Sequence, residues 1–208
     1  SSSAGNPRGR AIDADNDLFW RQNLRRLDAE ALRDSMLAVS GSLNPAGGGR
    51  GVFPPLSRDV LATQSRPGLG WGASSVEEQS RRSVYIYLKR TLMVPFLETF
   101  DYTNTAESVG TRPVTTVAPQ ALLLLNSEFT DLQAKNLAER VRREAGDATG
   151  RQIERLFRLA LGRVPTPHEV KIANDLLKQG SQTAKEKPDP LRSLCLVVLN
   201  LSEFSYLD

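Results

Sequence analysis

The run LRSLCLVVLNLSEF, residues 191–204, constrains the fold more than any other stretch of this sequence. Its apolar residues fall on nearly every face of a helix, and such a helix is stable in water only when other elements cover it all round. Residues 191–201 are therefore expected as the central helix of a bundle. The preceding stretches supply the covering faces. Ile153, Leu156, Phe157 and Ala160 recur at the i, i+3, i+4, i+7 spacing of one helical stripe, which stops at Gly162. In TPHEV, Thr166 stands as an N-cap, Pro167 at the first helical position and Glu169 where a capping box needs a carboxylate; Val170, Ala173, Leu176 and Leu177 then form one apolar face. A polar linker, GSQTAKEKPDP, joins that helix to the last one.

Upstream the punctuation changes. Residues 1–14 are rich in Ser, Gly and Arg and read as a loosely held segment unless docked. DNDLFWRQNLRRLDAEALRDSMLAVSG reads as two helices with a bend near Leu27: Asp15 and Asp28 are the caps, Phe19 and Trp20 a large anchor, and Leu32, Met36 and Val39 a stripe before Gly41. The cluster Asp13, Asp15, Asn16, Asp17 lacks the glycine and distal glutamate of a calcium loop and is assigned to helix capping. From Gly41 to about Ser80 periodicity fails in Gly- and Pro-rich sequence, with a short helix after Ser57, and this region is expected to wrap the core through Phe53 and Trp71. Its glycine runs, 47–51 and 68–72, lack the strand, helix and lysine of a phosphate cradle.

SVYIYL, residues 83–88, and residues 112–117 are the strand candidates and are expected to pair as a ribbon. PFLETF reads as a short helix, APQALLLLN as a helix with Pro119 in its first turn, and Ser127 as the cap of a further helix whose face is Phe129, Leu132, Leu137 and Val141. The fold class is mainly α: a helical bundle with long Gly/Pro-rich wrapping loops and one small β-ribbon. Its parts are a flexible segment 1–14, a helical and loop-rich part 15–148, and a C-terminal helical subdomain 149–208.

Composition narrows the chemistry. Lys and Arg number 27 against 24 Asp and Glu, and neither sign forms a block, so no nucleic-acid arm is expected. No run reaches the roughly 18 apolar residues of a membrane span. The single cysteine, Cys195, excludes an intrachain disulfide and a CxxCH haem attachment within these residues, and the single histidine, His168, excludes a multi-His metal site; no cofactor is expected in this chain. Cys195 reads as a buried small hydrophobe and His168 as a surface residue.

Glu98 and Asp101, three apart with Glu107 close by, are the candidate acid/base pair, with Arg112 beside them. Arg82, Tyr85, Thr115, Thr116 and Gln120 are candidate binding residues. The competing reading is structural: Arg81, Arg82, Arg90 and Arg112 flank the carboxylates, and Arg–carboxylate pairs commonly fix loops, here with Arg82 or Arg112 meeting Asp101 or Glu98. A third reading uses Trp71, Tyr85, Tyr87 and Tyr102 as stacking faces for a carbohydrate.

Residues 81–126, RRSVYIYLKRTLMVPFLETFDYTNTAESVGTRPVTTVAPQALLLLN, together with LALGRVPTP, LNLSEFSYLD and LFWRQNLRRLDAEALRDSMLAVSG, resemble the planctomycete-type C-terminal domain of unknown function. The resemblance spans about residues 16–208. It implies a large exported parent protein in the periplasm or cell envelope, often carrying a c-type cytochrome-like domain upstream. Family members usually have a helical segment before the Ser-rich start, so the chain reads as beginning at an internal cut. The resemblance carries over no catalytic residue. It implies a non-catalytic helical module, mediating interdomain or protein–protein assembly beside redox or glycan-handling domains. The alternative is a fragment of an enzyme or binding module acting on a polar substrate such as a glycan through Glu98, Asp101 and Arg112. Its partners would be other domains of the same parent, a protein partner or a glycan.

Overall fold

The structure, a computed structural model, describes residues 6–103, 108–182 and 189–207; Glu107 and residues 183–188 of the polar linker lie outside the described residues. The 18-residue α7 (Glu128–Ala145) is the axis of the fold. Thr130, Gln133, Ala134, Leu137, Ala138 and Val141 make its buried face, and the two alanines let neighbouring backbones come close. α2 (Ala29–Ser40) packs along one side of it and α10 (Pro190–Leu199) along another, while α8 (Thr149–Leu161) and α9 (Pro167–Gln182) close around α10. Leu32, Leu137, Ile153, Leu156 and Leu199 are wholly removed from water, each burial contributing about 1.5–3 kcal/mol.

α10 begins as its sequence demands. Asp189 accepts from the Leu191 amide at 3.1 Å and Pro190 takes the first helical position. Leu191, Leu194, Cys195, Val198 and Leu199 are buried, but Val197 is 44% exposed, so the helix is covered on most sides rather than all. It also stops at Leu199, not at residue 201. Asn200 turns its side-chain amide back onto the Leu196 carbonyl at 2.8 Å, and the chain restarts as the single turn α11 (Ser202–Ser205). The Cys195 thiol lies in this core, and burial pushes its pKa up. The capping box forms as read: Thr166 Oγ1 accepts from the Glu169 amide, and the Glu169 carboxylate accepts from the Thr166 amide.

The α7 face is shifted from its expected position. Leu132 is 47% exposed, and its place toward the core is taken by Thr130 and Gln133. Gln133 earns burial through a 2.8 Å hydrogen bond from the Ser40 hydroxyl on α2. Ser127 precedes α7 without a side-chain capping bond.

The N-terminal expectations need more correction. No helix runs from Asp15 to Leu27. A short helix instead occupies α1 (Pro7–Ile12), capped by Asn6, whose Oδ1 accepts from the Arg8 and Gly9 amides. The Asp13 carboxylate accepts from the amides of Asp17 and Leu18, capping a turn and not a helix. Asn16 and Phe19 adopt left-handed φ values of +63° and +54°, incompatible with helix propagation. Asn16 is buried and bonds the Arg21 backbone through both side-chain atoms. These local side-chain bonds outcompete the helix that spacing alone suggested. Trp20 is the anchor: its ring lies so close to Gly9 that a Cβ there would sit 2.6 Å away, and its Nε1 donates to the Asp13 carbonyl. Phe19 is 85% exposed and anchors nothing.

The ribbon exists, but elsewhere. β1 (Arg25–Arg26) pairs antiparallel with β2 (Tyr206–Leu207), Arg25 opposite Leu207 and Arg26 opposite Tyr206. Residues 83–88 form a 3-10 turn at Ser83–Tyr85, followed by one parallel bridge from Ile86 to Val52. Residues 112–117 form no strand, because side chains take the backbone groups a ladder would have used: the Thr115 amide donates to Asp101, and its carbonyl accepts from Arg26 and Gln120. Residues 41–80 carry α3 (Arg58–Ala62) after Ser57 and α4 (Val76–Gln79) opened by a Ser75–Glu78 capping box; Trp71 packs against the core as expected, whereas Phe53 does not join it. Phe53 packs against Trp71 at 5.5 Å and against Tyr87 at 4.8 Å.

Candidate functional site

Asp101 lies where two helix ends and the ribbon converge. α5 (Pro95–Thr99) delivers the chain to buried Phe100, and the next residue turns with φ +60°. Gln120, the third residue of α6 (Ala118–Asn126), and Arg26 of β1 complete the cluster. Asp101 Oδ2 accepts from Arg26 Nη2 at 2.7 Å and from the Thr115 amide at 2.8 Å, while Oδ1 accepts from Thr115 Oγ1 at 2.8 Å. Arg26 also donates to the carbonyls of Thr115 and Phe100, with its guanidinium 5.4 Å from the Phe100 ring centre. Gln120 Nε2 donates to the Thr99 and Thr115 carbonyls at 3.0 and 3.2 Å. Desolvation pushes the Asp101 carboxyl up, but the bonds from Thr115 and Arg26 outweigh it and hold the pKa below the usual carboxylate value.

A second pair stands alongside. Arg112 makes a bidentate contact with Glu30 of α2, both bonds 2.8 Å, donates to Thr103 Oγ1, and lies 5.3 Å over the Tyr102 ring. Hydrogen bonding to Glu30 raises the Arg112 pKa, and burial raises that of the Tyr102 phenol. Arg112 therefore pairs with Glu30, and Arg82 with Asp34 at 3.5 Å; neither meets Asp101, whose partner is Arg26. Glu98 is exposed and makes no ion pair among the described residues. Thr116 shares a hydrogen bond with the Tyr206 hydroxyl at 3.2 Å.

A third group sits under the wrapping loop. Arg33 is buried in α2; burial brings its pKa down to about 10, against the opposing pull of Asp34. Its Nη1 donates to the Arg81 carbonyl and Ser83 Oγ, its Nη2 to the Gln79 carbonyl, and its guanidinium stacks on Phe129. Arg81 lies 4.1 Å over the Tyr85 ring and donates to the carbonyls of Ala46, Gly48 and Arg50.

Across residues 1–177 the chain matches the family described as PSD1, protein of unknown function DUF1553. The chain belongs to the DUF1553 family. No curated protein and no solved structure matches it. The matched stretch includes the N-terminal residues and all three arginine groups and ends within α9, whereas the resemblance read from the sequence spans about residues 16–208.

Of the DUF1553 chain's expected site residues, the fold brings together Asp101, Thr115 and Gln120, sets Arg112 and Tyr102 beside them, and places Arg82 and Tyr85 in the group under the wrapping loop. Sequence reasoning missed Arg26, Glu30, Arg33 and Asp34. Arg33 did carry a signal, since it occupies a core position of the helical stripe Ala29, Leu32, Arg33, Met36, Leu37. Arg26, 75 residues from Asp101, carried none. Chemically, Asp101 is an anion held by three internal donors, with its pKa below the usual carboxylate value. The aromatic candidates are similarly engaged, Tyr85 by Arg81, Tyr102 by Arg112, and Trp71 and Tyr87 by Phe53, although Tyr87 stays 41% exposed. Among the described residues no group of three or more His, Cys, Asp or Glu is placed to hold a metal, and no helix is long and apolar enough to cross a membrane.

Proposed function

We propose that this DUF1553 domain is a non-catalytic helical module of a larger exported protein, mediating interdomain or protein–protein assembly in the periplasm or cell envelope. The observation that supports it is the state of the candidate groups. Asp101 accepts bonds from Thr115 and Arg26 that hold its pKa below the usual carboxylate value, and Arg112 is clamped to Glu30. A general base works best with a pKa near the working pH, and a substrate-binding arginine must turn its fork to the substrate rather than to an internal carboxylate. Here both kinds of group hold loops in place. The planctomycete-type resemblance adds the context of redox or glycan-handling neighbours, a c-type cytochrome-like domain among them, with no cofactor bound by this chain itself.

Two measurements test the proposal. Glu98→Gln and Arg112→Gln, made in the full-length parent, are expected to leave any turnover of the parent unchanged. The domain mixed with the separately produced remainder of its parent is expected to associate, read by calorimetry. Loss of turnover on a glycan substrate in Glu98→Gln, with folding intact, would convert the assignment to an enzyme fragment. Absence of association would remove the assembly role.

A further inference from the structure

The nine residues of α6, APQALLLLN, carry no charge. Gln120 and Leu124 turn toward the core. The opposite face, Ala118, Ala121, Leu122 and Leu125, is exposed, with Leu122 at 57% and Leu125 at 48%. Val117, just before the helix, is 47% exposed. An apolar helix face left open to water in this way marks a contact surface.

We infer that this face is the two-fold interface of a homodimer, in which α6 packs antiparallel against α6 of a second copy. The inference rests on the reading of the chain as an assembly module and names its partner. Register supports it first. A two-fold axis between positions 121 and 122 sets Leu122 against Ala121 of the other copy and Leu125 against Ala118, so each large side chain meets a small one. Charge supports it next. A partner with a charged face would leave its charges unpaired against leucine, whereas this face opposes itself with none. Area sets the strength. The face offers roughly 400 Å² per copy, so the pair buries roughly 800 Å² from apolar contact alone, below the roughly 1,200 Å² of a stable specific interface and in the range of weak, transient ones. The dimer is therefore weak and reversible.

Sedimentation velocity of the intact chain tests this over about 5 μM to 1 mM, the range in which such an interface fills. The wild type is expected to pass from monomer to dimer with rising concentration. Leu122→Glu is expected to weaken association at least ~10-fold while melting at the wild-type temperature in dilute solution, because Leu122 is exposed in the monomer. A cysteine pair gives the geometry. Leu122→Cys should cross-link to itself near the axis, whereas Ala118→Cys, roughly 10 Å along the helix from its own copy, should not. A wild type that stays monomeric throughout, a Leu122→Glu variant that dimerises as well as wild type, or equal cross-linking at both positions would overturn the inference. A monomeric chain that still binds the remainder of its parent would sink only the homodimer and leave the assembly reading standing.

Discussion

Asp101 combines a strained backbone with a side chain held by three donors. A non-glycine residue at φ +60° persists only where its surroundings hold it, and here the bonds from Thr115 and Arg26 do the holding. Arg26 is 5% exposed, so removing its counter-charge strands a buried cation, and Asp101→Ala is expected to cost about 3–5 kcal/mol in a denaturant melt. Asp101→Asn tolerates the left-handed backbone and can still accept hydrogen bonds, so its loss should be smaller, about 1–3 kcal/mol. Equal midpoints for both variants and wild type would show that the network holds nothing. This part of the site was half legible. Asp101, Thr115 and Gln120 stand out in the sequence as polar residues between apolar runs, but the cation that completes them lies in a two-residue strand that carries no β-pattern. Pairing of Arg25–Arg26 with Tyr206–Leu207 is set by the packing of whole helices, which no local window contains.

Among the elements, α10 shows how far periodicity reaches. Its burial by α7, α8 and α9 follows from its apolar content and from the single stripes that α8 and α9 present. Leu194→Ala is expected to cost about 2–5 kcal/mol, and Val197→Ala under about 0.5 kcal/mol, because only the first leaves a cavity. Hydrogen exchange should find α10 amides among the slowest; exchange as fast as in residues 44–51 would show that α10 is not core. Helices with strong stripes and caps were legible for this reason, down to the Thr166–Glu169 box. The first expected helix was not, because Asp and Asn side chains at 13 and 16 bonded the local backbone and the chain followed them. Helical spacing describes which face could be buried, and a run of Asx turns decides whether a helix forms at all.

At the scale of the molecule, several carboxylates share one electrostatic bias. Asp101 and Glu144 titrate below their usual values, and Glu169, bonded to Arg163 and to Thr166, is pulled down to about 2. A carboxylate with a depressed folded pKa adds stability above its unfolded pKa and loses it as pH falls through the folded value. The melting temperature is therefore expected to be flat near neutrality and to fall between the ordinary carboxylate pKa, near 4, and about 2. Glu169→Gln should shallow that fall; an identical acid profile would place the cause elsewhere. The wrapping loop gives a second test. Arg81 reaches three carbonyls at once, and a lysine ammonium cannot span them. Arg81→Lys is expected to speed exchange in residues 44–52 beyond the wild-type rate while α10 stays protected, and an unchanged rate in that loop would refute the role.

The way Arg26, Arg33 and Arg81 bind has a consequence for how this fold can change over time. Each grips main-chain oxygens, and a carbonyl is the same group whatever side chain it belongs to. Ala46 and Arg50 could be exchanged for many residues without loosening the grip, Gly48 and Gly49 being held apart by their positive φ. Adding or deleting a single residue, by contrast, would move every later oxygen out of reach. These guanidiniums thus measure the loops by length, leaving their composition free to drift while the number of residues stays fixed.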